Sequence, residues 1–292
     1  MKRPLVLLAI ALALAGCTSD NKNAAPVVVG GESTTAGRIY VEALAHAIEG
    51  EGHPAVRKPD LGGSIEVDAA ARAGRIDVYV EYTDDALASV VRPPNGGQLI
   101  AQGASVVLQK LRAVYEPAGL VWAEPLGEDN PLALVVRGNT APVSISDAVA
   151  PARNWRAAFS FEFQQRPDGY PAVQKGYGFQ LAEVKTMDAA RLYQALASHE
   201  VDVVSGNAND GSFTRLGLRA LTDDKRVFGS NQAVPVYRKA ALAKFPGLAG
   251  LLKRIAGGAK TERMRALVEQ VDSGKRTAAQ AGAELAGAMT SF

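Results

Sequence analysis

Short apolar runs and stretches of helical spacing alternate along this chain, and one junction between them organises the rest. From Ala69 to Asp85 the sequence reads AAARAGRIDVYVEYTDD: an Ala-rich helix stopped by Gly74, a short apolar strand from Ile76 to Val80, then Glu81, Tyr82, Thr83, Asp84 and Asp85. In open α/β sheets a ligand sits beyond the carboxyl ends of strands, where loops and helix N-termini leave polar groups free. The pattern returns from Ala195 to Gly211 (ALASHEVDVVSGNANDG), where a helix and a strand (Val201 to Ser205) are followed by Asn207, Asn209 and Asp210. Asp77 and Asp202 fall at equivalent places. Two such units predict two α/β lobes facing each other across a cleft.

Upstream, Val27 to Val29 is a short β-branched strand, and Gly30-Gly31-Glu32-Ser33-Thr34-Thr35 follows, with glycines for a tight turn and hydroxyls to cap a helix. Ile39, Leu44, Ala47 and Ile48 keep helical spacing until Gly50 and Gly52, and Ala55 to Lys58 is a second strand. Ser64 is the expected N-cap of the helix that feeds the central junction. Beyond Asp85, a turn at Pro93 to Gly97 leads into one long helix from about Gln98 to Tyr115, then a strand at Val121 to Ala123. The apolar run Leu132 to Arg137 suits a fully buried strand and marks the first crossing between lobes. The middle of the chain reads as a helix (146–150), a strand (157–160), the polar stretch EFQQRPDGYP, a short helix ending at Tyr177, a strand (182–185) and a helix (188–198). Asn231 to Val236 is a return strand, and the remainder is helical in pieces. One lobe would then comprise residues 27–132 with 233–292, and the other 133–232, an arrangement with two hinge crossings that serves closure around a small ligand.

The N-terminus bears on the compartment. Lys2 and Arg3 precede an apolar run from Leu5 to Leu14, too short for a permanent bilayer helix, and the run ends at Leu14-Ala15-Gly16-Cys17. These residues match the lipobox of exported bacterial lipoproteins, which predicts a signal peptide at 1–16, acylation at Cys17, and an anchored protein on the periplasmic or extracytoplasmic face. Cys17 is the only cysteine, so the mature domain has no disulfide, cysteine nucleophile or cysteine-based metal site. Residues 17–26 (CTSDNKNAAP) are small and polar and read as a tether. With Lys2 and Arg3 set aside, 30 basic side chains face 30 acidic ones. That balance, without a basic run or an aromatic RNA motif, argues against nucleic acid.

Catalytic signatures are missing. There is no G-x-S-x-G, H-E-x-x-H, G-x-x-x-x-G-K-[ST] or G-x-G-x-x-G, and the three histidines, His46, His53 and His199, fall in a helix, a loop and a helix end. The carboxylates Glu81, Asp84 and Asp85 would be the acids of a hydrolase, but neighbours in sequence make poor geometry for glycoside chemistry. No cofactor or metal set is expected.

The runs G-R-I-D-V-Y-V-E-Y-T (Gly74 to Thr83), E-F-Q-Q-R-P-D-G-Y-P with K-G-Y-G-F (Glu162 to Phe179), V-D-V-V with N-D-G (Val201 to Gly211), and L-T-D-D-K with A-V-P-V (Leu221 to Val236) resemble the osmoprotectant-binding components of ABC importers. These substrate-binding proteins serve glycine betaine, choline, carnitine and related solutes. The similarity runs in order from Val27 to about Asp272. It implies an α/β, two-lobed periplasmic-binding-protein fold with a central ligand cleft, and an ABC permease as partner of a monomeric binding protein. Family members enclose a quaternary ammonium with tyrosines. Tyr82 matches one such position in a Y-T-G-T motif, but Asp84 and Asp85 replace the Gly and Thr. Asn207 and Asn231 stand where relatives carry tyrosines, and Ser33, Thr34, Thr35, Ala36 and Gly37 replace N-F-T-E-Q. A register shifted by two residues would bring Tyr237 to the site instead. Asn130 matches the family asparagine before the crossing strand.

The candidate ligand-binding residues are therefore Ser33, Thr34, Tyr82, Asp84, Asp85, Asn130, Asn207, Asn209, Asp210 and Asn231. Such a lining offers hydrogen bonds and ion pairs in place of an aromatic cage, so both a betaine-like solute and another polar or amine-bearing molecule stay open. Arg166 and Asp168 read as a structural ion pair or turn around Pro167-Asp168-Gly169. Three functions follow: a solute-binding lipoprotein delivering to an importer, a carboxylate-dependent extracytoplasmic hydrolase, or a ligand-sensing module without transport.

Overall fold

The computed structural model describes residues 25–208 and 210–291; the leader, Cys17 and Asn209 lie outside them. Among the described residues, ten strands form two five-stranded sheets. They are β1 (Val27–Gly30), β2 (Ala55–Lys58), β3 (Val78–Tyr82), β4 (Leu120–Trp122), β5 (Leu132–Arg137), β6 (Arg156–Phe159), β7 (Glu183–Thr186), β8 (Val203–Asn207), β9 (Leu218–Ala220) and β10 (Ala233–Arg238). The first sheet has the order β2-β1-β3-β10-β4 and the second β7-β6-β8-β5-β9. In each, three parallel strands are followed by an antiparallel fourth. The fourth strand, β10 or β5, is the one the chain forms directly after passing between the sheets.

That passage is short. Asp129 and Gln232 bridge in antiparallel fashion, and the Asn130 amide donates to the Asn231 carbonyl at 3.0 Å, so the two connecting segments lie side by side. The run Leu132 to Arg137 is thus not the crossing. It belongs wholly to the second sheet, because its apolar side chains pack on both faces of that sheet.

Burial explains the other departures from the sequence pattern. β3 runs two residues further than its apolar core, through Glu81 and Tyr82, because β10 pairs with it as far as Ala233 opposite Tyr82. Alternation along β3 sends Val78, Val80 and Tyr82 to the core beneath the helix Thr35–Gly50, and Tyr79 to the core beneath the helix Ala104–Tyr115. Glu81 shares the Tyr79 side. The expected helix from Gln98 to Tyr115 is two helices, Gly96–Ala101 and Ala104–Tyr115, separated at Gly103, whose φ of 103° breaks the ladder. Thr34 caps the helix Thr35–Gly50, its Oγ1 accepting from the Gly37 amide at 2.9 Å. Ser64 is not a cap: it is the first residue of the helix Ser64–Arg72, and the Glu66 carboxylate accepts the Gly63 amide instead. The C-terminal helix Ala278–Thr290 returns to the first lobe, where Gly282 lets it approach so closely that a Cβ would lie 2.9 Å from the Ile39 carbonyl oxygen.

Asp77 and Asp202 carry the internal repeat into three dimensions. Asp77 donates its amide to the Val28 carbonyl (2.7 Å) and accepts the Val28 amide on Oδ2 (2.8 Å). Asp202 does the same to Arg156, at 2.8 and 3.0 Å. Each pins the start of its strand to the neighbouring parallel strand, at the edge of the sheet remote from the crossings. Asp77 is 1% exposed and paired with Lys244 (2.6 Å) and Arg238 (3.4 Å), whereas Asp202 is partly solvated beside Arg137 and Arg156. Asp77→Ala should cost about 3 kcal/mol, because it strands buried donors, and Asp202→Ala about 1 kcal/mol. Urea unfolding midpoints measure both, and equal losses would contradict this ranking.

Candidate functional site

Two cavities, of about 300 and 600 Å³, lie between the lobes and share Glu32, Asp85, Asn207 and Asp210. They form one cleft at the carboxyl ends of β1, β3 and β8, where the sequence pattern places polar residues. Asn231, 2% exposed, is its structural centre. Its Oδ1 accepts the amides of Asp84 (2.9 Å) and Asp85 (3.4 Å), and its Nδ2 donates to Asp85 Oδ2 (2.9 Å) and the Asn130 carbonyl (3.4 Å). Asn207 donates to the same carbonyl at 3.1 Å, tying the end of β8 to the crossing.

Tyr82 lines the smaller cavity, and its hydroxyl donates to Glu128 Oε2 at 2.9 Å. Tyr40 donates to the same oxygen at 2.5 Å. Burial raises the Glu128 carboxyl, and the two hydroxyls partly offset it. Asp85 bridges the lobes, with Oδ1 2.5 Å from Nη1 of Arg166, which also grips Asp168 through Nε (3.0 Å) and Nη2 (2.6 Å). The reading of Arg166 and Asp168 as a structural pair is half of the arrangement: the same guanidinium reaches across the cleft. Asp210, also on the lining, accepts from the amide (2.9 Å) and hydroxyl (2.6 Å) of Ser212.

The candidate residues divide. Thr34, Tyr82, Asp85, Asn130, Asn207, Asp210 and Asn231 come together on the cleft wall. Asp84 and Ser33 line neither cavity. Asp84 is 4% exposed, its carboxyl faces Gly229 and Ile100, and burial together with Asp168 and Asp85 pushes it up to about 8. Ser33 joins two loops, accepting the Gly62 amide at 3.0 Å. Tyr237 is in β10 opposite Val78 and Val121, within the core of the first lobe.

Several lining residues escaped the sequence pattern. Glu32 stands two residues past β1, the strand-end position the fold argument favours. Ser64 touches it: its Oγ is 2.9 Å from Glu32 Oε1 and 2.9 Å from Glu81 Oε1. Burial, with Asp85 nearby, pushes the Glu32 carboxyl up to about 7, and Glu81, wholly buried beside Glu32, stands well above the carboxylate range. Arg265 and Asp272, seven residues apart on one face of the helix Thr261–Asp272, reach the smaller cavity only through tertiary docking. Gly211 permits that docking, since a Cβ there would come within 2.7 Å of the Glu269 amide nitrogen. Tyr193 lines the larger cavity, and its hydroxyl accepts the Asn207 amide at 3.4 Å. Among the described residues no cluster of histidine, cysteine or carboxylate could hold a metal ion.

Comparison with known proteins agrees with this geometry. The chain is 26% identical to the glycine betaine-binding protein YehZ of Escherichia coli (strain K12), covering 90% of this chain and 92% of that one. It is 28% identical to a glycine-betaine-binding protein of Pseudomonas aeruginosa, over 88% and 85%. It is 26% identical to the ergothioneine transport permease/ergothioneine binding protein EgtU of Helicobacter pylori (strain G27), matching 86% of this chain but 45% of that protein, so it spans less than half of that relative. The solved structure of apo YehZ superposes with a TM-score of 0.72 at 26% identity, over 89% of this chain and 97% of that one. None of these relatives supports the hydrolase alternative. Residues 25–285 match the family described as the substrate binding domain of ABC-type glycine betaine transport system, and the chain belongs to that family of extracytoplasmic binding proteins, which are not enzymes.

Proposed function

We propose that this chain captures a small solute carrying a positive charge and N–H donors and presents it to an ABC permease. The observation that carries the reading is a charge imbalance. Five acidic side chains, Glu32, Asp85, Glu128, Asp210 and Asp272, line the smaller cavity against the one guanidinium of Arg265 on its described lining, and of the five Asp85 is matched by Arg166 from across the cleft. Inside a closing cleft of lowered dielectric such an imbalance attracts a cation. The asparagine amides and carboxylates reward a ligand that donates hydrogen bonds. Tyr82 is the one ring on that cavity's described lining, which leaves little aromatic surface to box a quaternary ammonium.

A betaine-like solute is the second reading. The relatives named as glycine betaine-binding proteins favour it, and Tyr82, with Tyr193 and Phe163 of the larger cavity, would be its walls. In either case the lobes divide at the crossings, with Leu132 in the second lobe, and they close about Asn130 and Asn231. The protein acts as a monomer, held to a membrane on its periplasmic or extracytoplasmic face by a lipid on Cys17.

A thermal-shift screen separates the two ligand classes. At one common concentration, about 100-fold the dissociation constant of the tightest binder, putrescine, agmatine or arginine should add up to about 2.7 kcal/mol, and choline, glycine betaine and carnitine less. Titration calorimetry should then show Asn207→Ala losing about 1–3 kcal/mol of binding and Tyr82→Ala less. The reverse order, with about 2 kcal/mol at Tyr82, would favour the betaine reading. Anchoring has its own test: Cys17→Ser should move the protein from the membrane to the soluble fraction, and unchanged membrane retention with unchanged lipid labelling would rule the lipid out.

A further inference from the structure

Glu32, Ser64 and Glu81 form a chain of oxygens leading from the cleft into the first lobe. Ser64 Oγ lies 2.9 Å from a carboxyl oxygen on each side, yet a serine has one hydrogen to give. Two ionised carboxylates would leave one of these contacts as lone pair against lone pair. A second proton therefore belongs to the chain. Glu81 is 0% exposed, its Oε1 accepts the Tyr82 amide at 2.9 Å, and its Oε2 is buried without a partner among the described residues. An ionised carboxylate with one bare, buried oxygen is costly, so Glu81 is the neutral member. Glu32 differs in lining both cavities, where a ligand can reach it.

We infer that Glu32 is the residue that takes up the positive charge of the captured solute, and that it gives up a proton in doing so, with Ser64 and a neutral Glu81 as its positioning residues. The inference rests on the cation reading of the cleft and assigns that charge to one carboxyl. In the empty protein Glu32 donates its hydrogen to Ser64, and Ser64 donates to Glu81. When a cation docks, the Glu32 O–H bond breaks and its proton passes to solvent. Ser64 then turns its hydrogen to Glu32, and Glu81 donates its own to Ser64. Ser64 keeps a donor and an acceptor in both states, whereas the Glu81 hydrogen, held on the unpartnered Oε2 in the empty protein, gains Ser64 as its acceptor only when Glu32 ionises.

The surrounding charges agree with this assignment. Asp85 faces Glu32 from the turn after β3 and opposes its ionisation. Asp210 from the second lobe and Asp272 from the C-terminal part of the chain add further negative charge to the same cavity. Of the cations, Arg166 is taken by Asp85 and Asp168, Arg92 donates to the Ser89 carbonyl, and Arg265 shares the lining with Asp272. Tyr82, whose hydroxyl is committed to Glu128, and Glu66, which caps Gly63, complete the ionisable neighbours. Burial holds the Glu32 carboxyl near 7, so the linkage falls within an accessible range.

Titration calorimetry of the intact protein with putrescine and with choline, neither of which titrates near neutrality, tests this in paired buffers of different ionisation heat. Proton release should approach one per ligand at about pH 5.5 and vanish at about pH 8.5, while affinity strengthens about thirtyfold from the lower pH to the higher. Glu32→Gln should bind weakly at every pH and release nothing. Ser64→Ala should move the midpoint upward, since the serine favours the ionised Glu32. Glu81→Gln, whose oxygen can accept the Tyr82 amide and the Ser64 hydroxyl but cannot donate back to Ser64, should raise the midpoint and weaken binding less than Glu32→Gln does. Wild-type binding without pH dependence, proton release that survives Glu32→Gln, or binding abolished by Glu81→Gln would each overturn the inference. A carbon-13 titration of the ligand-free Glu32 carboxyl distinguishes the two levels of claim. A midpoint in the ordinary carboxylate range overturns the proton chain whatever binds. A midpoint near 7, with no cation of the panel binding at any pH, overturns the cation reading and the coupling built on it.

Discussion

Asn231 carries more of this structure than any other side chain. A primary amide has two acceptor sites and two donors, and here all four are engaged: by the amides of Asp84 and Asp85, the carboxylate of Asp85 and the carbonyl of Asn130. Those partners belong to two separate pieces of chain, the turn after β3 and the first crossing, and Asn231 itself lies on the second crossing. Because the group is buried, none of these bonds can be exchanged for water without loss. The hinge and the ligand cleft therefore share one bracket. A rotation of the lobes that strains the crossings is felt at Asp85, the residue that meets Arg166 of the opposite lobe.

A second constraint follows from where the acids sit. Strands of an α/β sheet end in loops that converge, and here β1, β3 and the crossing bring Glu32, Asp85 and Glu128 to one cavity. The protein meets the cost of gathering them in three ways. Tyr40 and Tyr82 solvate Glu128, Arg166 offsets Asp85 and Asp168, and protons stay on Glu81 and in part on Glu32. Each device is local, and each leaves the cavity short of positive charge. The proposed cationic solute would complete the compensation that the side chains leave partial, and would give closure around the ligand an electrostatic cause.

The two-lobed plan was legible because its signals are local. The repeat of helix, aspartate, strand and polar loop around Asp77 and Asp202 reports parallel strands beginning at pinned positions, and both aspartates do pin them. Glycines and caps such as Thr34 bound the helices. What could not be read was set by tertiary pairing. β3 absorbs Glu81 and Tyr82 because β10 lies beside them, and Ser64 gives up capping because two glutamates, far away in sequence, reach its hydroxyl. Asp84 and Asp85 are adjacent in the chain, yet one faces Gly229 and the other the cleft, a difference that depends on Asn231. Arg265 and Asp272 lie on a helix whose pattern reads as an ordinary amphipathic surface, and only its docking against Gly211 brings them to the site.

The central claim is that carboxylates, rather than aromatic rings, receive the positive group of the ligand. A crystal structure of the protein with its tightest-binding solute tests this most directly. The account predicts the positive group within hydrogen-bonding distance of the Glu32 or Asp85 carboxylate, with Asn231 keeping its four bonds. A positive group enclosed by the rings of Tyr82, Tyr193 and Phe163, and out of reach of both carboxylates, would contradict it.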